Sequence, residues 1–300
     1  MTAVENSEAQ IRFGVSPLSW TNDVLADLGG DIPLEVCLKE ASEIGYEGVE
    51  LGRKFPRNAK ELLPKLEEYG LQLVGGWYSG FLAERSLEEE WMAAADHVRL
   101  LDECGSQILV YGECGRMPGD SPFDRPLSES PALGAIELSG YVEKVNGFAA
   151  RLKHRGIKLA YHYHLMMLVE TAEEIAAFFE STSDDVGLLL DTGHAYAAGA
   201  DYGEILRRFG NRVVHIHLKD VRRQVLDKVR KDDASFNAAV RAGMFTIPGD
   251  GDVDFSHIKS FVRASGYRGW VVVEAEQDPA KANPRLYAQS AYRYVKKLIL

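Results

Sequence analysis

Four apolar runs, LAYHYH, GLLLDTGH, VVHIHLKD and WVVVEAEQ, carry His162, His164, Asp191, His217 and Glu274 at or next to their carboxyl ends. Imidazoles and carboxylates together make a mixed nitrogen and oxygen donor set that suits a divalent first-row metal, with zinc, manganese, iron and cobalt all compatible. Asp191 and Glu274 follow LLL and VVV, and burying a carboxylate there without a partner is costly. A lone histidine is as readily a hydrogen-bonded core residue. Recurrence of ionisable groups at the same end of four apolar runs makes a shared cation the more economical account.

Residues two apart on a strand share a face. His162 pairs in this way with His164, His217 with His215 and Lys219, and Glu274 with Glu276. His194, three residues past Asp191, is placed to contact substrate or to cap the next segment. Lys219 and Arg223 offer cations that can polarise a carbonyl or hold a hydroxyl-rich ligand. The loss of Lys219 is expected to lower turnover while leaving metal content and stability intact. Trp20, Glu50, Trp77 and Tyr78 sit at the ends of the first three strands, where aromatic walls suit a sugar ring. PGDGDVDF alternates acids with glycines but lacks the full calcium-loop pattern, so it reads as a turn.

The elements that must position these residues are eight strand candidates, 11–18, 46–51, 71–77, 106–112, 158–164, 186–191, 213–219 and 270–276, separated by segments of helical period. Pro33 opens one helix and Gly45 closes it. Ser86 with Glu89 and Thr171 with Glu174 have capping-box spacing. Asn58 to Tyr69 is amphipathic, and 136–155 and 284–299 read as long helices. Strict alternation implies a parallel sheet, and eight units imply closure into a (β/α)8 TIM barrel. An open doubly wound sheet is disfavoured because GVSPLSW, after the first strand, has no GxGxxG. One domain is expected over residues 1–300, with a polar tail at 1–10. Residues 112–135 and 221–254 interrupt the alternation and are candidate lids over the carboxyl end.

Composition narrows the partners. The chain has 300 residues, is 46% hydrophobic and carries a net charge of −11, which argues against nucleic acid and anionic membranes and for a small molecule. Three widely spaced cysteines, Cys37, Cys104 and Cys114, fit a reducing compartment. No signal core is apparent, nor a run of about 18 apolar residues that would span a bilayer. A cytoplasmic protein is expected, with self-association left open.

At the same residues the sequence resembles the xylose-isomerase-like barrel superfamily, and within it the inosose (2-keto-myo-inositol) dehydratases. The blocks that carry the resemblance are SPLSWTND, LVGGWYSGF, AYHYH, LLLDTGHAY, HIHLKDVR, GMFTIPGDGDVDF and GWVVVEAEQDPAKANP. Superfamily members hold a divalent metal with Glu, Asp, His and Glu on strands five to eight. By position this implies Asp191, His217 and Glu274 as ligands. His162 stands where the fifth-strand Glu is expected, which puts a two-glutamate isomerisation in doubt. Residues and resemblance together point to metal on His162, Asp191, His217 and Glu274, with His164, on the same strand face as His162, the alternative fifth-strand ligand, and to His164, His194, Lys219 and Glu274 in catalysis. Trp20, Glu50, Trp77, Tyr78 and Arg223 would contact substrate. The resemblance also implies manganese or cobalt as the metal, and glutathione as an associated cofactor, although the sequence shows no glutathione signature. The implied reaction is loss of water from a polyol ketone, 2-keto-myo-inositol, to a trihydroxycyclohexane-1,2-dione. Such an elimination needs a base, a Lewis acid and an acid for the leaving hydroxide. An epimerase or isomerase on the same barrel is the nearest rival, and a sugar-binding barrel without catalysis a more distant one.

Overall fold

A computed structural model describes residues 11–300, so the polar tail expected at 1–10 lies outside the described residues. Eight parallel strands close into a barrel: β1 (Arg12–Val15), β2 (Gly48–Leu51), β3 (Gln72–Gly80), β4 (Ile108–Glu113), β5 (Lys158–His162), β6 (Val186–Asp191), β7 (Val213–Leu218) and β10 (Trp270–Val273). β10 pairs with β1 from Arg12↔Trp270 to Val15↔Val273, which seals the cylinder. The register shifts between Val49 and Leu51 and again between Leu188 and Leu189.

Helices α1 (Leu34–Ile44), α2 (Ala59–Glu68), α3 (Leu87–Glu103), α4 (Leu138–Lys153) and α5 (Ala172–Ser181) cover the first half of the barrel. The second half is covered by α6 (Thr192–Ala198), α7 (Tyr202–Phe209), α10 (Ser256–Ser265) and α11 (Pro284–Ile299), with α8 (Arg223–Lys231) and α9 (Phe236–Arg241) inside the long connection after β7. The stop and start signals act where the sequence places them. Gly45 closes α1 at φ 108°, Asn58 caps α2, and both capping boxes form, Ser86 with Glu89 and Thr171 with Glu174. A short antiparallel pair, β8 (Asp220–Val221) with β9 (Phe245–Thr246), was not foreseen. Its two-residue strands are too short for any alternation to register.

Apolar packing falls into two layers. The main core lies between strands and helices, and two smaller clusters are separate from it: Val74, Trp270 and Val272, and Ile108, Val110, Ala160 and Leu189. Their alternate positions continue, two residues on, to His162, Asp191 and Glu274. The same strand face therefore runs from apolar filling at the amino end to ionisable groups at the carboxyl end. Among the described residues, no helix is long and apolar enough to cross a membrane.

Candidate active site

A cavity of about 250 Å³ opens at the carboxyl end of the barrel, and Glu50, Trp77, His162, His164, His217, Glu274 and Glu276 all line it. Both long connections supply its roof. Phe123 follows β4 and Phe236 begins α9; their ring centroids lie 5.0 Å apart, and each is within 6 Å of the His164 ring. Asn237 Nδ2 donates to Asp124 Oδ1 at 2.8 Å and Leu127 N–H to the Ala234 carbonyl at 3.2 Å, so the two connections are stitched together over the cavity.

Asp191 shows how local folding prepares a ligand. It ends β6 and caps α6, with Oδ1 accepting the His194 N–H at 2.8 Å. That leaves Oδ2, which is buried and has no hydrogen-bond partner, 3.5 Å from His162 Nε2 and 3.6 Å from His217 Nδ1. His217 Nδ1 is 2.7 Å from Glu274 Oε2 but lacks hydrogen-bond alignment. Donor atoms bonded to one cation at about 2.1 Å stand roughly 3.0–3.4 Å apart, so spacings of this order, around an orphaned buried oxygen, fit a divalent ion. His162 Nδ1–H donates to the Tyr163 carbonyl at 2.5 Å, which leaves Nε2 as the free nitrogen on the Asp191 side. His162, Asp191 and His217 thus bring ligand atoms within 4.8 Å of one another, and Glu274 adjoins them through His217.

His164 repeats the device. Its Nδ1–H donates to the Leu165 carbonyl at 2.6 Å, leaving Nε2 bare. Burial first, then the neighbouring His162 and Lys219, hold its pKa well below the usual imidazole value, so the ring is neutral near pH 7. The His194 ring lies 3.7 Å from it, beneath the cavity wall, with its pKa also lowered by burial and by His164 and Lys219. For His217 burial pulls the other way from its partners, and Glu50 and Glu274 prevail to hold it well above 6.5.

Lys219 departs from expectation. It was expected on the loop as a donor to substrate, but its side chain is fully buried and is not among the groups lining the cavity. Nζ is 2.6 Å from Glu274 Oε1, 2.9 Å from Glu276 Oε1 and 2.8 Å from His194 Nε2. Its backbone is pinned by Thr192, whose hydroxyl donates to the Lys219 carbonyl at 2.7 Å and accepts its N–H at 3.0 Å. A Cβ on Gly193 would fall 2.5 Å from Lys219 Cγ, which gives the glycine of DTGH a packing reason.

Three other expected substrate contacts lie elsewhere. Trp20 is fully buried and donates Nε1–H to Glu40 Oε2 at 2.6 Å, toward α1 rather than the cavity. Tyr78 stacks on Phe148 in the layer between barrel and helices. Strand parity requires this, since its neighbour Trp77 faces inward. Arg223 opens α8 with a largely exposed side chain and does not line the cavity, because the β8–β9 pair carries the chain away from the mouth. Trp77 does line it, made room for by Gly112, where a Cβ would meet the indole at 2.1 Å. Glu50 lines the cavity too, with Oε1 accepting from both His215 and His217.

Sequence reasoning put Glu276 on the face of Glu274 without assigning it to the site, and left out Phe123, Phe236 and, in the connection after β1, Asn22 and Asp23; all of these line the cavity. For Glu276 that parity was the signal. The others sit in irregular segments whose fold alone brings them to the mouth.

Residues 38–298 match the family model described as Xylose isomerase-like TIM barrel. The rhizopine catabolism protein MocC of Rhizobium meliloti is 42% identical over 295 residues, covering 98% of this chain and 90% of its own. An inosose dehydratase of Geobacillus thermodenitrificans (strain NG80-2) is 39% identical over 292 residues, covering 97% and 98%. The crystal structure of the probable 3-DHS dehydratase AsbF from Bacillus anthracis superposes with a TM-score of 0.70 at 13% identity, covering 95% of this chain and 99% of that one, a likeness of fold alone.

Proposed function

The chain belongs to the xylose isomerase-like TIM-barrel family, in the branch of it that includes the inosose dehydratases, and on that premise we propose that it is a metal-dependent hydro-lyase acting on an inosose. The substrate is 2-keto-myo-inositol, and the product a trihydroxycyclohexane-1,2-dione. The observation that carries the reading is the convergence of His162 and His217 on the orphaned Oδ2 of Asp191, with Glu274 against the same His217 nitrogen.

A divalent cation held by these four side chains, manganese or cobalt in our reading, would supply Lewis acidity to the ketone and its neighbouring hydroxyl. The chain's own residues do the rest. His164, neutral and with Nε2 bare, takes the proton from the carbon next to the ketone. Glu276 reaches the cavity and hands a proton to the departing β-hydroxyl, which leaves as water. The enol that remains relaxes to the diketone. Lys219 keeps Glu274 and Glu276 in place from beneath, and His194 supports the His164 ring. Phe123, Phe236 and Trp77 wall the cavity and exclude water from the enolate. The elimination calls for no thiol, and we assign glutathione no part in it. We place the protein in the cytoplasm, where Cys37, Cys104 and Cys114 remain free thiols.

The test is incubation of the metal-reconstituted protein with scyllo-inosose, followed by NMR. A deoxygenated ring carbon with a diketone supports the reading, whereas an epimerised inosose with all its oxygens makes the protein an epimerase. Because one relative is a rhizopine catabolism protein, the panel includes O-methylated and deoxygenated inososes, and faster turnover of one of these would move the substrate assignment within the same reaction.

A further inference from the structure

We infer that Glu50 is a positioning residue for the metal site, a strut that crosses the barrel and fixes which nitrogen of His217 faces the cation. The inference rests on the metal reading above and goes beyond it. Glu50 lies on β2, one residue before its end, whereas His215 and His217 lie on β7; β1 and β10 stand between them in the barrel order. The carboxylate thus reaches across the interior rather than to a neighbouring strand. One oxygen, Oε1, accepts from His217 Nε2 at 2.9 Å and from His215 Nε2 at 2.8 Å.

The consequence follows from imidazole chemistry. With Nε2–H held by Glu50, Nδ1 is the nitrogen of His217 left to bind a cation, and it is the one that faces Glu274 Oε2 at 2.7 Å and Asp191 Oδ2 at 3.6 Å. A carboxylate behind a ligating imidazole sets its orientation and strengthens it as a donor. His215, on the same oxygen, holds Glu50 against rotation; its ring meets that of His217 edge to face at 5.1 Å. A buried ion pair is not in itself a strong stabilising device, so stability alone is a poor reason for a carboxylate that spans the barrel. The rival role is direct contact with substrate, because Glu50 also lines the cavity and its Oε2 has no hydrogen bond among the described residues.

The test uses the full chain stripped with chelator and titrated with Mn(II) by calorimetry and with Co(II) by visible absorption, comparing the parent with E50Q, E50A and D191A. Removal of such a partner weakens metal affinity by about 10–100-fold. We expect roughly tenfold for E50Q, more for E50A, and an altered Co(II) spectrum in both. E50Q is nearly isosteric and keeps the test valid where E50A fails to fold. Metal affinity and Co(II) spectrum unchanged in E50Q, with KM for inosose raised, would overturn the inference and leave Glu50 a substrate contact. A parent that binds cation no better than D191A would overturn the metal reading itself and the inference with it.

Discussion

Lys219→Met is the most demanding test of the site. The sequence suggested that Lys219 could be removed at little cost to stability, and its burial reverses that expectation. The ammonium is the cation that Glu274 and Glu276 share, at 2.6 and 2.9 Å, with Asp191 Oδ2 at 3.8 Å. Its two close partners respond differently. Burial pushes both carboxyls up, but Glu274, facing His217 as well as Lys219, is brought down to about 2, whereas Glu276 stays raised. The pair that matters for stability is therefore Lys219 with Glu274. Removing one partner of a buried pair costs roughly 3–5 kcal/mol, and in a large domain each kcal/mol is about 2–4 °C of Tm. The metal-free variant should melt about 6–20 °C below the parent at pH 7.5.

The pH dependence has a definite sign. The folded pKa of Glu274 is below the ordinary 4.5, so its ion pair contributes stability above about pH 4.5 and loses it as pH falls toward 2. In the variant, burial acts without the ammonium, the carboxyl becomes easier to protonate, and acid relieves it. The Tm gap should narrow from pH 7.5 to pH 4.5, and Mn(II) should close part of it at neutral pH by supplying another cation. Turnover should fall at least about a hundredfold, a loss typical of removing one electrostatic contributor to the active site. Calorimetric scans across that pH range, with and without metal, are the assay. A metal-free Tm within 2 °C of the parent, flat with pH, would refute the view that Lys219 neutralises the carboxylates under the cavity.

Elemental analysis of Asp191→Ala and His217→Ala should show metal occupancy well below the parent, and full retention in both would remove these side chains from the site. His162→Ala should lose metal, whereas His164→Ala should keep it and lose turnover; the opposite pattern would exchange their roles. Glu113, at the end of β4, has its carboxyl raised to about 7 by burial, although the Gly115 N–H and the Tyr111 hydroxyl both donate to it. A raised carboxyl adds stability below about pH 4.5 and loses it as pH rises through 7, so the parent should weaken by up to about 3 kcal/mol from pH 5 to pH 8. Glu113→Gln should flatten that slope in Tm against pH, and an unchanged slope would clear Glu113 of it.

What the sequence revealed of this site follows strand parity, and its errors come where parity was not applied or had ended. Period-two spacing puts His215, His217 and Lys219 on one face, and the structure gathers all three inside the barrel. The same rule, applied to Trp77 and Tyr78, would have sent Tyr78 outward. Lys219 was misjudged for another reason. β7 stops at Leu218, and no local signal announces that Thr192 will bind the next peptide and turn the ammonium down among the carboxylates. Glu50 raised a third difficulty: its partners are 165 and 167 residues away, and only the closing register of the barrel brings β2 opposite β7. Phe123 and Phe236 come from connections without periodicity, so their meeting over His164 is a product of tertiary packing alone.

Charge explains why the mouth is arranged as it is. Glu50, Asp191 and Glu274 are buried there together with Glu276, whose carboxyl is pushed up by burial, against a single buried ammonium among the described residues, Lys219. His217, held charged by Glu50 and Glu274, offsets part of the excess. Lys219 Nζ is 2.6 Å from Glu274 Oε1 and 2.9 Å from Glu276 Oε1 but 3.8 Å from Asp191 Oδ2, which it leaves without a hydrogen bond. The least compensated negative charge is thus at Asp191 Oδ2, between His162 and His217, where a divalent ion would neutralise it and take the place of the proton on His217 Nδ1. His164 and Glu276 come together with His194 in a separate group, and both border the cavity outside the proposed ligand set. Such a division suits an elimination, in which one part of the site must accept electron density at a carbonyl while another moves protons at two neighbouring carbons.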